Sequence, residues 1–365
     1  MGREVAAALA RWPALDDHPV RPRLTAVCDA NAGALAWFDR IDTVRLRTTD
    51  HRYLLADERI DVVYIAVPHH RHEELYLDAI SAGKDFLGEK PFGIDLHAGE
   101  RIVRSLRNTP EVFARCSSEM PYFPGAQLAI ETVRSGHIGK ILEVRASFLH
   151  SSDLDVTKPI NWKRVARFCG RLGVMGDLGI HVLHVPLRLG WVPSRVYAVL
   201  QDVVTQRPGP DGRPVLCDTI DNATVICSVG QGRDLFPLTI ETKRIAPGET
   251  NTWLLRVVGM EGGAEFSTQS PKTVRRFSVR DGRQVWERLE TGSQSVFPTV
   301  TGGIFEFGFS DAVLQMWAVF LAERAGALGD RFGCVTPDEA LAAHHVFDAA
   351  LRSAKSGCAE PVEVW

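Results

Sequence analysis

Two short segments of this 365-residue chain bring together side chains suited to acid–base chemistry. The first is Glu89-Lys90-Pro91-Phe92-Gly93, which directly follows an apolar run, so Lys90 stands at a strand end with Pro91 fixing the backbone that aims it. An isolated lysine is ordinarily a solvated surface charge. One that faces a crevice from a strand end can hydrogen-bond a substrate hydroxyl and lower the cost of an alkoxide-like state. The second segment is Gly173-Val174-Met175-Gly176-Asp177-Leu178-Gly179-Ile180-His181-Val182-Leu183-His184. Asp177 and His181 are separated by one helical turn, so a single helix face presents both. A carboxylate beside an imidazole holds one ring nitrogen protonated and raises the basicity of the other, as a general base near neutral pH requires. The plain alternative is a capping network at a helix start. Asp177, His181 and His184 as metal ligands form a further alternative, but no third-element ligand set or H-E-x-x-H pattern accompanies them, and no metal is expected.

The elements around these residues alternate in the first third of the chain. Arg3–Trp12 reads as helix, Leu24–Cys28 as a buried strand ending at Asp29, and Ala32–Arg40 as helix. Asp61–Val67 is the strongest strand signal and stops at Pro68; Glu73–Ala82 is a helix closed by Gly83. Asp85–Leu87 reads as strand, Asp95–Leu106 as helix and Glu111–Cys116 as strand. Repeated strand–helix units predict an α/β domain with a parallel sheet, here over residues 1–120. Beyond that the rhythm changes. A helix over Gly125–Ser135 leads to a long β-rich run, Lys140–His150, and a helix near Gly173–Leu189. Extended stretches follow at Val196–Thr205, Thr219–Val229, Leu235–Ile245, Trp253–Met260 and Thr273–Val279, with turns between them. They predict an α+β domain over residues 121–365 with a large, mainly antiparallel sheet. Helices over Phe305–Arg324 and Pro337–Lys355 close the chain, the second opening with a Thr336/Glu339 capping box, and these last helices can pack back on the first domain.

Ligands of an open parallel sheet bind beyond the carboxyl ends of its strands. Three such ends are polar here: Asp29, the loop Pro68-His69-His70-Arg71-His72, and Glu89-Lys90. A lone Asp29 would read as a helix cap or turn residue. With the other two strand ends it reads as an acceptor for an adenosine ribose that repels a 2′-phosphate, favouring NAD over NADP.

Composition narrows the function classes. A net charge of -3 provides no basic field for a phosphate backbone, so nucleic acid is not an expected partner. No apolar run approaches the roughly 18 residues of a membrane helix, and the start lacks a secretory pattern. The seven cysteines are scattered and form no close pair, which argues against a disulfide framework or structural zinc and for a reducing, cytoplasmic setting.

Taken in order, these segments resemble the glucose–fructose oxidoreductase and inositol dehydrogenase family, Gfo/Idh/MocA, over nearly the whole chain. The resemblance rests on Val27-Cys28-Asp29, on Asp61–Val67 with Pro68 and His72, and on Gly83-Lys84 leading to Glu89-Lys90-Pro91. It extends to Ser135-Gly136-His137-Ile138-Gly139-Lys140, to Gly176-Asp177-Leu178-Gly179-Ile180-His181, which is similar to a D-x-G-x-H signature, and to Gly259–Gly263. It implies a nicotinamide-binding Rossmann domain, a second domain whose open sheet often joins a homodimer or homotetramer, and hydride transfer at a secondary alcohol of a sugar, inositol or related polyol. It also implies that His181 takes the hydroxyl proton, Lys90 polarises the same oxygen, and Asp177 orients His181 or grips a neighbouring hydroxyl. Pro68, His69, His72 and Glu89 would lie near the cofactor, and Lys163 and His184 near the substrate, His184 standing where many relatives carry an Asp.

The resemblance further implies an opening strand and a G-x-G-x-x-G turn for the pyrophosphate. Here Gly2 stands as the last of those glycines, and neither the strand nor the first two glycines occurs. The expectation is that the true start lies upstream, and that a form without that strand has open sheet edges and binds cofactor weakly. Two other activities fit the same scaffold: a glycosidase using NAD transiently, and a catalytically silent sensor.

Overall fold

The computed structural model describes residues 1–363. Its first part runs α1 (Gly2–Ala10), β1 (Ala26–Cys28), α2 (Ala32–Leu35), β2 (Leu46–Thr48), α3 (Arg52–Leu55), β3 (Val62–Ile65), α4 (His72–Ser81), β4 (Asp85–Gly88), α5 (Leu96–Asn108) and β5 (Ala114–Cys116). Local chemistry sets several boundaries. The Asp95 side chain accepts the Ala98 amide at 2.9 Å and starts α5. Gly83, at φ +65°, takes the left-handed conformation that ends α4. The helix expected over residues 32–40 is short and tightens into a 3-10 turn, Ala36–Arg40. The sequence reading missed β2 and α3. β2 has one apolar residue among charged neighbours, and its pairing with β1 outweighs its weak local signal.

Every pairing in this part is parallel, as expected, but the strands fall into two sheets, β1–β2 and β3–β4–β5. Among the described residues β1 pairs only with β2, and β3 only with β4, so each keeps an open edge. Val62, Val63 and Tyr64 on β3 are accordingly half-buried rather than sealed. The apolar packing divides in the same way. Val27, Leu35 and Val44 form a small cluster of their own, apart from the large core that unites β3–β5 with the rest of the molecule.

The second part contains α6 (Pro124–Arg134), β6 (Ile141–His150), α7 (Ala166–Cys169), α8 (Val174–Arg188), β7 (Pro193–Gln201), a small hairpin of β8 (Gln206–Pro208) and β9 (Pro214–Leu216), β10 (Asn222–Val229), β11 (Phe236–Lys243), β12 (Asn251–Gly259), β13 (Gly262–Ser267), β14 (Thr273–Arg280), β15 (Arg283–Glu290), α9 (Phe309–Arg324), α10 (Pro337–Ser356) and β16 (Glu360–Pro361). Nine strands make one sheet in the order β15-β14-β13-β12-β6-β11-β10-β7-β16, antiparallel except for the β6–β11 pair. Burial alternates along β11 as one covered face demands. β13 and β15 were not anticipated. β13 opens on two glycines, and β15 is a largely exposed edge strand without the alternation that would mark it.

α8 lies between the covered face of this sheet and α10, and nearly all of its residues are buried. α10 also packs on α5, and α9 on α1, so the last helices do return to the first part of the chain. The capping box of α10 forms as read: Thr336 Oγ1 accepts the Glu339 amide at 3.2 Å, and Glu339 Oε2 accepts the Thr336 amide at 2.8 Å. All seven cysteines are free thiols, five of them buried.

The contact of α8 with α10 explains one glycine of the motif. A Cβ on Gly179 would lie 2.1 Å from Cζ of the buried Phe347 ring. Gly179→Ala is therefore expected to cost about 1–3 kcal/mol of stability through overpacking. Urea denaturation of the variant checks this, and an unchanged midpoint would show that α10 yields freely.

Candidate active site

The carboxyl ends of β4 and β5, the N-terminal half of α8 and the ends of β6 and β11 surround a cavity of about 650 Å³ between the two parts of the chain. Lys90, Asp177 and His181 all line it, as do Glu89 and Lys163. Residues from both domains that the sequence placed in one site thus meet in one site.

Their partnerships differ from the sequence reading. The Asp177 carboxylate makes no hydrogen bond to the His181 ring; cations take its oxygens. Lys90 Nζ donates to the Asp177 carbonyl at 2.7 Å and to Oδ1 at 2.8 Å. Lys163 Nζ donates to both carboxylate oxygens at 2.9 Å, and Arg244 Nη2 stands 3.7 Å from Oδ2. Burial by itself would raise the Asp177 pKa, but Lys163, Lys90 and Arg244 overcome it and hold the group well below the usual carboxylate range. Burial likewise disfavours the Lys90 ammonium, yet Asp177 and Glu89 more than compensate, so Lys90 stays charged.

Lys163 reaches this point because its neighbour faces the other way. Arg164 is fully buried, pairs with Asp221 and donates to the Val204 carbonyl at 2.7 Å. Asp221 Oδ2 in turn accepts the Val203 and Val204 amides, each at 2.8 Å. This anchored arginine fixes the 3-10 turn Trp162–Arg164 and leaves Lys163 directed into the cavity. His181 is held from behind by Trp253, whose Nε1 donates to the His181 carbonyl at 2.8 Å.

Three residues stand apart from the cavity lining and correct the sequence reading. His184 is buried against Phe332, with Nε2 at 3.2 Å from the Gly333 carbonyl. His72 lies with Nδ1 2.7 Å from the Pro91 carbonyl and Nε2 2.8 Å from the Val67 carbonyl and donates to one of them according to its tautomer, so it braces the backbone behind Lys90. His69 is buried with Nδ1 at 3.0 Å from the Cys169 carbonyl and its ring against Trp162, which links the Pro68 loop to α7. Each is a structural histidine because a buried imidazole next to a carbonyl satisfies the backbone. Asp29 is exposed at the end of β1 and accepts the Asn31 amide at 2.8 Å. Gly2 opens α1, and nothing lies within 4 Å of where its Cβ would be, so no close approach requires glycine there. Its neighbour Met1 lines the cavity, placing the N-terminal end of α1 at the wall.

Sequence reasoning missed Glu119, His150 and Arg244. Glu119 follows β5, His150 ends β6 and Arg244 follows β11; the strand-end rule that found Asp29 and Lys90 would also have found Glu119. Glu119 is buried, and burial followed by the charge of Glu89 raises its pKa to about 7. The Glu89 carboxylate accepts the Tyr64 hydroxyl at 2.5 Å.

These positions fit a dinucleotide. An exposed carboxylate ends β1, Met1 at the start of α1 lines the cavity, and the buried Ser117 and Ser118 hydroxyls after β5 have no hydrogen-bond partner among the described residues.

The chain is similar to proteins with the same organisation. Residues 4–115 match a family model described as an oxidoreductase family with an NAD-binding Rossmann fold, and residues 126–265 match a GFO/IDH/MocA C-terminal domain. Levoglucosan dehydrogenase from Pseudarthrobacter phenanthrenivorans is 26% identical over 311 residues, 81% of this chain and 75% of that protein. D-apiose dehydrogenase from Paraburkholderia graminis is 27% identical over 221 residues, 60% of this chain and 57% of that protein. A solved complex of levoglucosan dehydrogenase with NADH and levoglucosan superposes with a TM-score of 0.88 at 22% identity, covering 99% of this chain and 96% of that one. An NAD binding oxidoreductase from Klebsiella pneumoniae gives a TM-score of 0.87 at 25% identity, covering 100% and 96%.

The cation cluster makes a direct prediction. Asp177→Asn leaves Lys90 and Arg244 buried without their nearest counter-charge, for an expected loss of about 3–5 kcal/mol at neutral pH. Because the Asp177 pKa is depressed, its stabilising contribution is complete above the unfolded carboxylate value of about 4 and fades as pH falls below it. Denaturant unfolding at neutral pH and at about pH 3 should show the gap between variant and parent narrowing in acid. Equal stability at neutral pH would refute the cluster's role.

Proposed function

The chain belongs to the Gfo/Idh/MocA oxidoreductase family, and from that premise we propose that it oxidises a secondary alcohol of a sugar, inositol or related polyol with NAD, Lys90 and His181 acting on one carbinol oxygen. The observation that carries this reading is the convergence of Lys90, from the end of β4, and His181, from α8, on the same cavity between the two parts of the chain. On this reading residues 1–120 hold the dinucleotide and residues 121–365 the substrate. The relatives named dehydrogenases of levoglucosan and apiose support a carbohydrate-like substrate.

NAD, when bound, supplies the acceptor for the carbinol hydride. The rest is done by the chain's own groups. The Nδ1 atom of His181 is buried, so Nε2 is the nitrogen left to meet a ligand in the cavity and take the hydroxyl proton. Burial, then the Lys90 charge, hold the ring neutral by pushing its pKa well below the ordinary value, so it is unprotonated and ready to accept. Lys90 Nζ has three N–H donors and spends two on Asp177; the third is available to the substrate oxygen. Its positive charge stabilises the developing alkoxide in a site sheltered from water. Asp177 fixes both ammonium groups and keeps that of Lys90 charged. Asp29 supports NAD rather than NADP by placing a carboxylate where a ribose hydroxyl, and not a phosphate, would be accepted.

The open face of the nine-stranded sheet exposes Tyr197, Val199 and Ile226 on adjacent strands, which supports self-association as a homodimer or homotetramer. Seven free thiols support a reducing compartment, and among the described residues no helix is long and apolar enough to cross a membrane.

Incubation with NAD and a panel of sugars and inositols, followed by nicotinamide absorbance, tests the assignment. Lys90→Met and His181→Gln should each lower kcat/KM by about 10²–10⁴-fold. Failure of the folded protein to oxidise any polyol, with no reduction of NAD, would remove the dehydrogenase reading. Asp29→Ser should weaken NAD and improve NADP as cofactor, and an unchanged ratio would mean that Asp29 does not face the ribose.

A further inference from the structure

A base that takes a proton needs somewhere for the charge to rest, and His181 is badly placed to keep it. The ring is buried beside the Lys90 ammonium, so an imidazolium would be both desolvated and repelled. The carboxylate that sequence spacing assigned to support it, Asp177, is held by three cations instead. His181 Nδ1 is nonetheless buried with no hydrogen-bond partner among the described residues, and the acidic oxygen it faces is Glu119 Oε2, 3.8 Å away. That separation is beyond a hydrogen bond, and such catalytic contacts are commonly long before substrate binds and tighten in the complex. Glu119 differs from Asp177 in the respect that matters here: no other side chain donates a hydrogen bond to it among the described residues, and it borders the cavity.

We propose that Glu119 works through His181 as the final proton acceptor of the reaction: as Nε2 takes the proton of the substrate hydroxyl, Nδ1 passes its own proton to the Glu119 carboxylate. The inference rests on the dehydrogenase reading above and assigns the route of the proton that this reading releases. The substrate O–H bond breaks and an Nε2–H bond forms; the Nδ1–H bond breaks and an O–H bond forms on Glu119. The carbinol C–H electron pair leaves as hydride, so the carbinol carbon is oxidised to a carbonyl and NAD is reduced. The imidazole exchanges tautomers and stays neutral throughout. The carboxyl proton then returns to solvent through the cavity, and the reverse reaction retraces the path.

The electrostatics of the pair favour this route. Burial and then Glu89 raise Glu119 to about 7, against the opposing charge of Lys90. A carboxylate so poised ionises near neutral pH and is far more basic than an ordinary one. The other groups that bear on the pair are Tyr64 on β3 and Cys116 on β5, at the Glu119 side. At the His181 side they are Asp177, which favours protonation of the ring, and His150 and His184, which oppose it. Within this set Glu119 is the group that can both take up and release a proton near neutral pH.

Three measurements test the pair, two of them independent of turnover. Infrared difference titration of the intact protein from about pH 5 to about pH 9 should show a protonated carboxyl lost with a midpoint about 7, absent from Glu119→Gln. Nitrogen NMR should show the His181 ring neutral across the same range. In kinetics, Glu119→Gln should lower kcat by about 10–100-fold with little change in KM and abolish the limb of the pH profile near 7. Glu119→Asp, which keeps the acid but shortens its reach, should retain that limb at a reduced rate, and it serves alone if the Gln variant does not fold. An ordinary carboxylate midpoint, an imidazolium at position 181, or an unaltered pH profile in Glu119→Gln would overturn the proposal. If no polyol is oxidised by the parent protein, the dehydrogenase reading fails, while the titration still decides whether Glu119 and His181 form the pair.

Discussion

The Asp177 carboxylate is the anion around which the two parts of the chain are fastened. Lys90 comes to it from the end of β4, Lys163 from a 3-10 turn and Arg244 from just beyond β11. Taking Asp177, Lys90 and Arg244 out of water is costly, and only close mutual pairing offsets it. The arrangement therefore has little tolerance. Two of the cations have a further anchor that keeps them in register: Arg244 Nη1 donates to the Lys163 carbonyl at 2.9 Å, and the buried Arg164–Asp221 pair fixes the turn beneath Lys163. Three cations to one carboxylate also leave a surplus of positive charge beside the reacting oxygen, where negative charge develops during oxidation of an alcohol.

That commitment divides the work among the acids of the cavity. Asp177, surrounded by cations, is ionised under all ordinary conditions and serves as a fixed countercharge. Glu119, buried and near Glu89, ionises around neutrality. Neighbouring carboxylates acquire opposite properties from their surroundings alone, and such a split separates a structural ion from a group that can exchange protons.

Much of this was legible in the sequence. The alternation of strand and helix before residue 120 and the run of strands after it gave the two-part α/β and α+β architecture. The positions of Lys90, Asp177 and His181 followed from a strand end and a helical spacing. What stayed hidden was non-local. Spacing placed Asp177 and His181 on one face but could not reveal that Lys163 and Arg244, distant in the chain, would occupy the carboxylate. His72 and His184 looked like ligand contacts because histidine at a strand end or beside a catalytic motif invites that reading; the backbone carbonyls of Pro91 and Val67 face the one ring and that of Gly333 the other instead. β2 and β15 escaped because one is specified by its partner strand and the other is an exposed edge without alternation.

The separate cluster of Val27, Leu35 and Val44 has an energetic meaning for the ligand. A corner secured by so few apolar side chains and a two-stranded sheet can open locally while the main core remains intact. Asp29 stands on that corner, so on the proposed reading the adenosine half of a dinucleotide would meet a surface whose local opening competes with binding. Its apparent affinity is the intrinsic affinity scaled by the assembled fraction. Any contact that knits the corner to its neighbours raises cofactor affinity without touching the cofactor.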